Sequence, residues 1–143
     1  MNVETILRDK GRWVATIRPE ATIAEAIKQL TAQNVGALVV SDDGGGVDGI
    51  LSERDIVRAL AEDGAELLNE SVEAAMTRRV ATCDPEDSVG DLMAEMTRRR
   101  IRHFPVVRDG RLVGIVSIGD LVKSRLDEIE YEARSLRSFI IGA

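Results

Sequence analysis

The sequence of 143 residues has a formal net charge of −6, with 44% hydrophobic residues, 31% charged residues and one cysteine. This composition is typical of a globular chain with enough apolar residues for a core, and its length fits one domain or two small intertwined halves. The negative charge argues against a general nucleic-acid binder, which normally has a basic surface, and the single Cys83 excludes an internal disulfide.

We expect a cytoplasmic protein that makes no membrane contact. The N-terminal stretch MNVETILRDK lacks the apolar segment of a signal peptide, and no apolar run approaches the roughly 18 residues that a membrane span needs. A lone cysteine fits a reducing compartment. A Cys/His zinc site is hard to build from Cys83 and the only histidine, His103.

An internal repeat with an offset of 66 residues organises the chain. The stretch VATIRPEATIAEAIKQL, which begins at Val14, aligns with VATCDPEDSVGDLMAEM, which begins at Val80. In the first copy, Thr22 and Glu25 have the spacing of a capping box and precede apolar residues at the helical period. In the second copy, Ser88 begins the equivalent helix. The repeat therefore predicts two amphipathic helices with the same buried face.

Two short strands are predicted after each of these helices. The runs VGALVV (35–40) and IRHFPVV (101–107) are the first strand of each pair, and VDGIL and LVGIV are the second. A Gly/Asp turn separates the strands, and its extra residue in the first copy reduces the offset to 65. Another helix follows each pair, over about 53–61 and from Ile118 onward, and a short helical segment precedes each copy at NVETIL and SVEAAM.

Each copy therefore has the order β-α-β-β-α. Because the helices of one copy cover only one face of its sheet, we predict an α/β fold in which two pseudo-symmetric repeats pack through their sheets. The expected divisions are a first repeat over 1–66, a second repeat over 67–125 and an extended C-terminal helix over 126–143. We expect the connection between the repeats at 63–69.

The same corner between strand and helix occurs twice, as GILSERD and GIVSIGD. One interpretation is structural: Ser52 and Ser117 cap a helix, and Asp55 and Asp120 complete the cap three residues later. The other is functional: a helix N-terminus offers amide donors to a phosphate, and a carboxylate accepts both hydroxyls of a ribose. A duplicated fold would duplicate its caps as well, so the residues alone leave both interpretations open.

Basic residues concentrate in the second half of the chain. Residues 1–66 contain 12 acidic and 7 basic groups, whereas residues 67–143 contain 13 and 12, with the cluster RRRIRH at 98–103. Such a cluster in an acidic protein suits a small anionic ligand better than a polymer. A simpler interpretation is that arginines at the end of a helix are favoured by its dipole.

The ordered set of motifs, occurring twice, resembles a pair of CBS domains, the modules named after cystathionine β-synthase. The resemblance covers about residues 1–125 and is similar to the stand-alone bacterial proteins of this kind. It implies a regulatory module, not an enzyme, whose cleft between the repeats binds AMP, ADP, ATP, NAD or S-adenosylmethionine. AMP and ATP are favoured, NAD is a further candidate, and no catalytic cofactor is expected. In agreement, nothing in the sequence resembles a nucleophile with a base and an orienting acid.

The resemblance also implies a homodimer and a downstream protein that the sequence does not identify. A protein of another class remains an alternative: a dimeric scaffold that kept the fold and uses its surface without a small ligand. The serine and aspartate at both corners favour the ligand sensor.

Residues of both repeats are implied by the resemblance to bind the ligand. In the second repeat they are Asp120 for the ribose, Ser117 for phosphate or ribose, Thr82 and Val80 for the adenine, and the basic Arg102 and His103. In the first repeat they are Asp55, Ser52, Thr16 and Val14. Gly36 and Ala37 replace the basic pair there, and Arg54 compensates in part. We therefore expect the Asp120 site to be the better one for a phosphorylated ligand. The alternative is that Arg102 and His103, in a shared cleft, serve a ligand held mainly by the other repeat.

The C-terminal end departs from the repeat. Apolar residues at 4-3 spacing form the seam of a heptad pattern, at Val122, Leu126, Ile129, Ala133, Leu136 and Ile140. The pattern covers fewer heptads than a coiled coil normally needs. Two interpretations remain: this helix packs back on the protein's own core, or it contacts another subunit.

Overall fold

The protein is described here by a computed structural model that covers residues 1–142. The first half contains α1 (Val3–Lys10), β1 (Thr16–Ile17), α2 (Ile23–Gln33), β2 (Ala37–Val40), β3 (Gly49–Ser52) and α3 (Glu53–Asp63). A 3₁₀ helix at Gly64–Asn69 connects the halves. The second half contains α4 (Val72–Ala75), α5 (Val89–Arg99), β4 (His103–Arg108), β5 (Arg111–Ser117) and α6 (Ile118–Ile141). The element order confirms the predicted α/β fold, with a short helix before each copy.

The two sheets have the same topology but differ in completeness. In the first, β1 pairs with β2 in parallel and β2 pairs with β3 in antiparallel orientation. In the second, β4 and β5 form an antiparallel pair, and the first strand of the repeat is reduced to one parallel bridge between Cys83 and Val106. This bridge still makes two backbone hydrogen bonds, from Cys83 to Pro105 and from Val107 to Cys83. Cys83 therefore occupies the position of the predicted first strand of the second repeat, although the strand itself does not form.

The two amphipathic helices begin and end at equivalent positions. Thr22 and Glu25 form the complete capping box predicted for α2, and Ser88 caps α5 by accepting from an amide in its first turn. Both helices end at a residue in the left-handed conformation, Asn34 with φ of 53° and Arg100 with φ of 56°. These two residues are separated by the repeat offset of 66. The internal symmetry thus extends to an unusual backbone conformation.

Each repeat completes its core with a helix from the other half of the chain. Val3, Ile6 and Leu7 of α1 pack with the core residues of the second repeat, whereas Leu67 and Val72 pack with those of the first. The backbone follows the same exchange, since the amide of Val3 donates to the carbonyl of the second repeat's Asp87 at 3.0 Å. The sequence division at 66 and 67 therefore does not separate two packing units.

Two glycines make the exchange possible. Gly114 lies in the middle of β5, and a Cβ atom there would lie 2.6 Å from Cδ2 of Leu7 on α1. Gly49 is its equivalent in β3, and a Cβ atom there would lie 2.6 Å from Sδ of Met76 and 2.9 Å from the carbonyl oxygen of Thr77. These are the glycines that open the paired motifs GIVSIGD and GILSERD, and the close approach of an exchanged segment requires both.

The faces of the sheets that point away from these cores pack between the repeats. Side chains alternate along a strand, so Val39 and Pro105 point to the face opposite their neighbours in the two cores, and both are buried. At the edge of this contact, a Cβ atom on Gly36 would lie 3.4 Å from the His103 ring. The predicted packing through the sheets is confirmed.

The C-terminal helix leaves the body of the protein after its first two turns. Leu121 and Ser124 are buried, but the apolar side chains from Leu126 onward are exposed. Of the two interpretations of the heptad pattern, packing back on the protein's own core is therefore wrong. Within residues 1–142, no helix is both long enough and apolar enough to cross a membrane.

We expect Leu7→Ala to lower the free energy of unfolding by about 2–5 kcal/mol, the usual cost of truncating a buried leucine. Leu7 is only 1% exposed and packs in the core of the second repeat. The measurement is equilibrium unfolding in urea, with the exposed Asp9→Ala of the same helix as the matched control, expected within about 0.5 kcal/mol of the natural protein. Equal stability of the two variants would contradict the exchange of helices.

Candidate functional site

The two repeated corners, between β3 and α3 and between β5 and α6, have nearly identical local geometry. The hydroxyl of Ser52 accepts from the amide of Asp55 at 3.2 Å, and Oδ2 of Asp55 accepts from the amide of Ser52 at 2.9 Å. Ser117 and Asp120 repeat both bonds with the same lengths. Both corners are capping boxes, so the structural interpretation of the motif is confirmed.

The two aspartates differ in their third partner. Oδ1 of Asp55 accepts from the hydroxyl of Thr77 at 3.2 Å, whereas Oδ2 of Asp120 accepts from the ammonium of Lys10 at 2.7 Å. Lys10 also donates to the carbonyl of Ile115 at 3.0 Å. Burial raises the pKa of Asp120, but the hydrogen bonds from Lys10 and from the amide of Ser117 outweigh it and hold that pKa below the usual value. The carboxylate of Asp120 is therefore paired with the charged side chain of Lys10, whereas that of Asp55 accepts from the neutral hydroxyl of Thr77.

A cleft of about 1140 Å³ lies between the repeats and receives residues from both. Seven residues singled out from the sequence line it: Ser52, Arg54, Asp55, Val80, Arg102, His103 and Ser117. They come from the start of α3, the segment before the second repeat's first strand position, the start of β4 and the end of β5. The cleft therefore combines the Asp55 corner with the basic residues of the second repeat.

Four of the expected residues do not line this cleft: Asp120, Thr82, Thr16 and Val14. Thr82 is exposed, and Thr16 borders a separate cavity of about 560 Å³ beside the turn between β2 and β3. The expected grouping of Asp120 with Val80 is not observed, because each corner receives the segment that precedes the other repeat's first strand position. Thr77 and Val80 thus lie at the Asp55 corner, and Lys10 lies at the Asp120 corner.

Arginines dominate the lining of the cleft. They are Arg54, Arg58, Arg79, Arg99, Arg100 and Arg102, against only two acidic residues, Glu53 and Asp55. Within residues 1–142, no ion pair holds Arg58, Arg79, Arg100 or Arg102. Arg102 and His103 therefore line the same cleft as the Asp55 corner, which is the arrangement given above as the alternative to the Asp120 site.

Sequence reasoning did not assign Arg58, Arg79, Arg99 and Arg100 to the site. Two signals were present: Arg58 follows Arg54 by one helical turn, and Arg79 directly precedes Val80. Arg99 and Arg100 belong to the cluster at 98–103, where the end of α5 explains their presence equally well.

Arg54 links the two repeats across the cleft. Its guanidinium donates to the carbonyl oxygen of Arg100 at 3.2 Å. Arg100 ends α5, where carbonyl groups have no partner within the helix and carry the negative end of its dipole. A cation from the first repeat therefore stabilises the end of a helix in the second.

His103 lies where the cleft, the sheet contact and the Asp120 corner meet. Burial lowers the pKa of its ring below the usual value, and the charges of Lys10 and Arg102 lower it further. The carboxylates of Asp120 and Glu53 act in the opposite direction but do not compensate. The ring is therefore neutral at neutral pH. An anion that entered the cleft near this ring would raise its pKa.

The arrangement suits binding better than catalysis. A cleft with many guanidinium groups attracts phosphates, because guanidinium matches phosphate oxygens with paired hydrogen bonds. Within residues 1–142, no group of three or more His, Cys, Asp or Glu side chains is placed to hold a metal ion. Cys83 is buried, and burial, followed by the charges of Asp87 and Asp84, raises the pKa of its thiol to about 12.

Known proteins share both the sequence pattern and the fold. The family model of the CBS domain matches residues 14–62 and 72–127. A CBS-domain containing protein from Agrobacterium tumefaciens is 47% identical, with a TM-score of 0.85 over 87% of this chain and 99% of that one. A mitochondrial CBS domain-containing protein from Arabidopsis thaliana is 34% identical over 98% of this chain and 72% of its own length.

Two of the similar structures, both of the same protein, contain ligands. The CBS domain pair of protein MJ0100, in complex with 5′-methylthioadenosine and S-adenosyl-L-methionine, is 33% identical, with a TM-score of 0.76 over 88% of this chain and 98% of that one. Some relatives are named as enzymes: this chain matches only 20% of an L-aspartate semialdehyde sulfurtransferase from Methanocaldococcus jannaschii. The double match of the family model, over most of the chain, makes this protein a tandem pair of CBS domains, a regulatory module of the CBS-domain family.

Proposed function

We propose that this protein is a non-enzymatic sensor that binds an adenosine-containing ligand in the arginine-lined cleft between its repeats. The observation that carries the proposal is that six arginines line the same cleft as the Asp55 corner, and that five of them take part in no ion pair within residues 1–142. The related pair of protein MJ0100, which forms a complex with two adenosine compounds, supports the same ligand class. The candidates are AMP, ADP, ATP, NAD and S-adenosylmethionine.

The electrostatics of the cleft favour a ligand with several phosphates. S-adenosylmethionine carries a positive sulfonium, which six arginines would repel, whereas each added phosphate gains charge-assisted hydrogen bonds. We therefore expect affinity in the order ATP, ADP, AMP. Arg58, Arg79 and Arg102 are the proposed phosphate-binding residues, because no ion pair within residues 1–142 competes for them.

Asp55 is the proposed ribose-binding residue of this cleft, with Ser52 beside it and Val80 against the adenine. Its Oδ2 is used by the capping box, and its Oδ1 accepts only from the hydroxyl of Thr77, which can rotate away. Asp120 stays a proposed second ribose-binding residue, with Ser117 beside it in the capping box. Thr82, Thr16 and Val14 stay ligand-binding predictions of the family resemblance, and no observed contact joins them to this corner. A ligand there must compete with Lys10 for the carboxylate, so we expect weaker binding.

The remaining functional predictions follow from this proposal. The sensor is proposed to act in the cytoplasm, as a homodimer, on a downstream protein that recognises its ligand-bound form. It has no catalytic step of its own. The alternative of a ligand-independent scaffold predicts no binding of any adenosine compound, which makes the two readily distinguishable.

We expect ATP to raise the thermal midpoint of the protein and Asp55→Ala to abolish that rise. Ligand at about one hundred times its dissociation constant adds roughly 2.7 kcal/mol to stability. The measurement is the thermal midpoint with each of the five candidates, for the natural protein and for Asp55→Ala, Asp120→Ala and Glu25→Ala.

Glu25→Ala is the matched control for this experiment, because it removes the same kind of capping box at α2, outside the cleft. Both cap variants are expected to lose about 0.5–2 kcal/mol of stability, but only Asp55→Ala loses the ligand response. A complete lack of response to all five compounds at millimolar concentration would favour the scaffold.

The arginine cluster can be tested separately. Arg102→Ala is expected to weaken ATP binding about tenfold or more. AMP binding should weaken less, because AMP has a single phosphate and makes fewer contacts with the arginines. Isothermal titration calorimetry measures both affinities. Arg108→Ala is the control at the other end of β4, which Arg102 directly precedes, since Arg108 is exposed and lies outside the cleft. Equal losses for the two variants would refute a phosphate-binding role for Arg102.

Binding of a phosphorylated ligand is expected to strengthen as the pH falls from 8 to 6. The pKa of His103 is lowered in the free protein, and a bound phosphate raises it again, so the complex takes up protons in this window. The ligand's own titration is removed by comparison with His103→Gln, which should show a shallower dependence on pH in calorimetry. Identical slopes for both proteins would contradict this role of His103.

A further inference from the structure

The C-terminal part of α6 projects from the body of the protein without a partner. Leu126 is 55% exposed, Leu136 is 61% exposed and Ile140 is 69% exposed. The helix continues for seventeen residues after the buried Ser124, which corresponds to about 25 Å. Large apolar side chains exposed along one stripe of a helix indicate a surface that is covered in the functional protein.

The exposed stripe has the residue spacing of a two-stranded coiled coil. Its residues alternate at spacings of four and three, which places Leu126, Ala133 and Ile140 at position a of the heptad and Val122, Ile129 and Leu136 at position d. The outer face carries Tyr131 and Ser138 at position f. A single partner helix covers the a and d positions, while the exposed Phe139 and Ile141 lie beside the seam at positions g and b.

The charges beside the seam identify that partner as a second copy of the same helix. Arg125 and Glu132 are at position g, and Glu130 and Arg137 are at position e. In a parallel, in-register pair, each g residue contacts the e residue five positions later on the other helix. Arg125 then meets Glu130 of the second copy, and Glu132 meets Arg137 of the second copy. Both contacts join opposite charges, and each occurs twice by symmetry.

The antiparallel arrangement is disfavoured by the same charges. When two antiparallel seams overlap fully, position e faces e and position g faces g. Glu130 then faces Glu130 of the second copy, and Glu132 faces Glu132. Lys123, at the preceding e position, faces Arg137. All three are like-charge contacts, which destabilise a helix pair where opposite charges would stabilise it.

We propose that residues 122–140 pair with the same segment of a second copy of this chain as a parallel, in-register coiled coil. The seam is shorter than three heptads, which is marginal for isolated helices. Here the folded body has already formed the helix, through the capping box of Ser117 and Asp120 and the buried Leu121. The cost of helix nucleation is therefore not part of the association. The proposal is independent of ligand binding.

Charge exchange between Glu132 and Arg137 tests the pairing directly. Neither residue takes part in an ion pair within residues 1–142, whereas Arg125 is held by Glu128 at 3.2 Å. Glu132→Arg and Arg137→Glu each convert two attractive contacts into repulsive ones and are expected to raise the dimer dissociation constant about tenfold. The double variant Glu132→Arg/Arg137→Glu restores attraction and is expected to return the constant to near that of the natural protein.

The measurement is sedimentation equilibrium of the full chain over a range of concentrations, where a monomer has a mass of 15.6 kDa. Leu136→Asp is expected to give monomers, and Tyr131→Asp, on the outer face, to leave the dimer unchanged. Both side chains are exposed in the single chain, at 61% and 72%, so neither change should unfold it. A natural protein that is monomeric up to millimolar concentration would overturn the proposal, as would a dimer that tolerates Leu136→Asp.

Cysteine crosslinking tests the direction of the helices. Ala133→Cys and Leu126→Cys, made separately, should each form a disulfide-linked dimer on mild oxidation, because in-register pairing places each position opposite itself. Cys83 does not interfere, because its thiol is buried and its pKa is raised to about 12. No antiparallel register brings both positions opposite themselves, so crosslinking at one position only would overturn the parallel arrangement.

Discussion

The packing of α1 against the second repeat is the contact on which the rest of the structure depends. Leu7 fills the core of the second repeat, and Gly114 has no side chain because Leu7 lies where a Cβ atom would be. Met76 approaches Gly49 in the same way on the other side. Since each repeat needs a segment from the other half of the chain, neither half contains a complete core, and the two form one cooperative unit.

The same exchange creates the candidate site. It carries Thr77 and Val80 from the second repeat to the Asp55 corner of the first, and α5 and β4 add their arginines from the opposite wall. A chain with a net charge of −6 thereby acquires one strongly basic cleft. Such a concentration of one charge in a partly enclosed space raises the local concentration of anions. The capping boxes position the aspartates, so a structural and a binding role for Asp55 are compatible.

The proposed ligand cleft and the proposed helix pairing occupy different parts of the molecule but share one element. The helix α6 begins at the Asp120 corner, beside His103 and Lys10, and ends in the exposed seam. Leu121 and Ser124 attach its first two turns to the body, and the projecting part continues the same helix.

Much of the fold was determined by the sequence alone, because the repeat offset, the capping residues and the apolar periods are local features that act within a few residues. They predicted the element order, the twin corners and seven of the residues that line the cleft, Ser52 and His103 among them. Only the tertiary structure decided which corner receives which lead-in segment. The two segments, NVETIL and SVEAAM, have the same apolar pattern. Local signals therefore do not show whether each one packs on its own repeat or on the other. That choice placed the arginines beside Asp55 and Lys10 beside Asp120. It also decided that the heptad seam is exposed, since periodicity defines an apolar face but not what covers it.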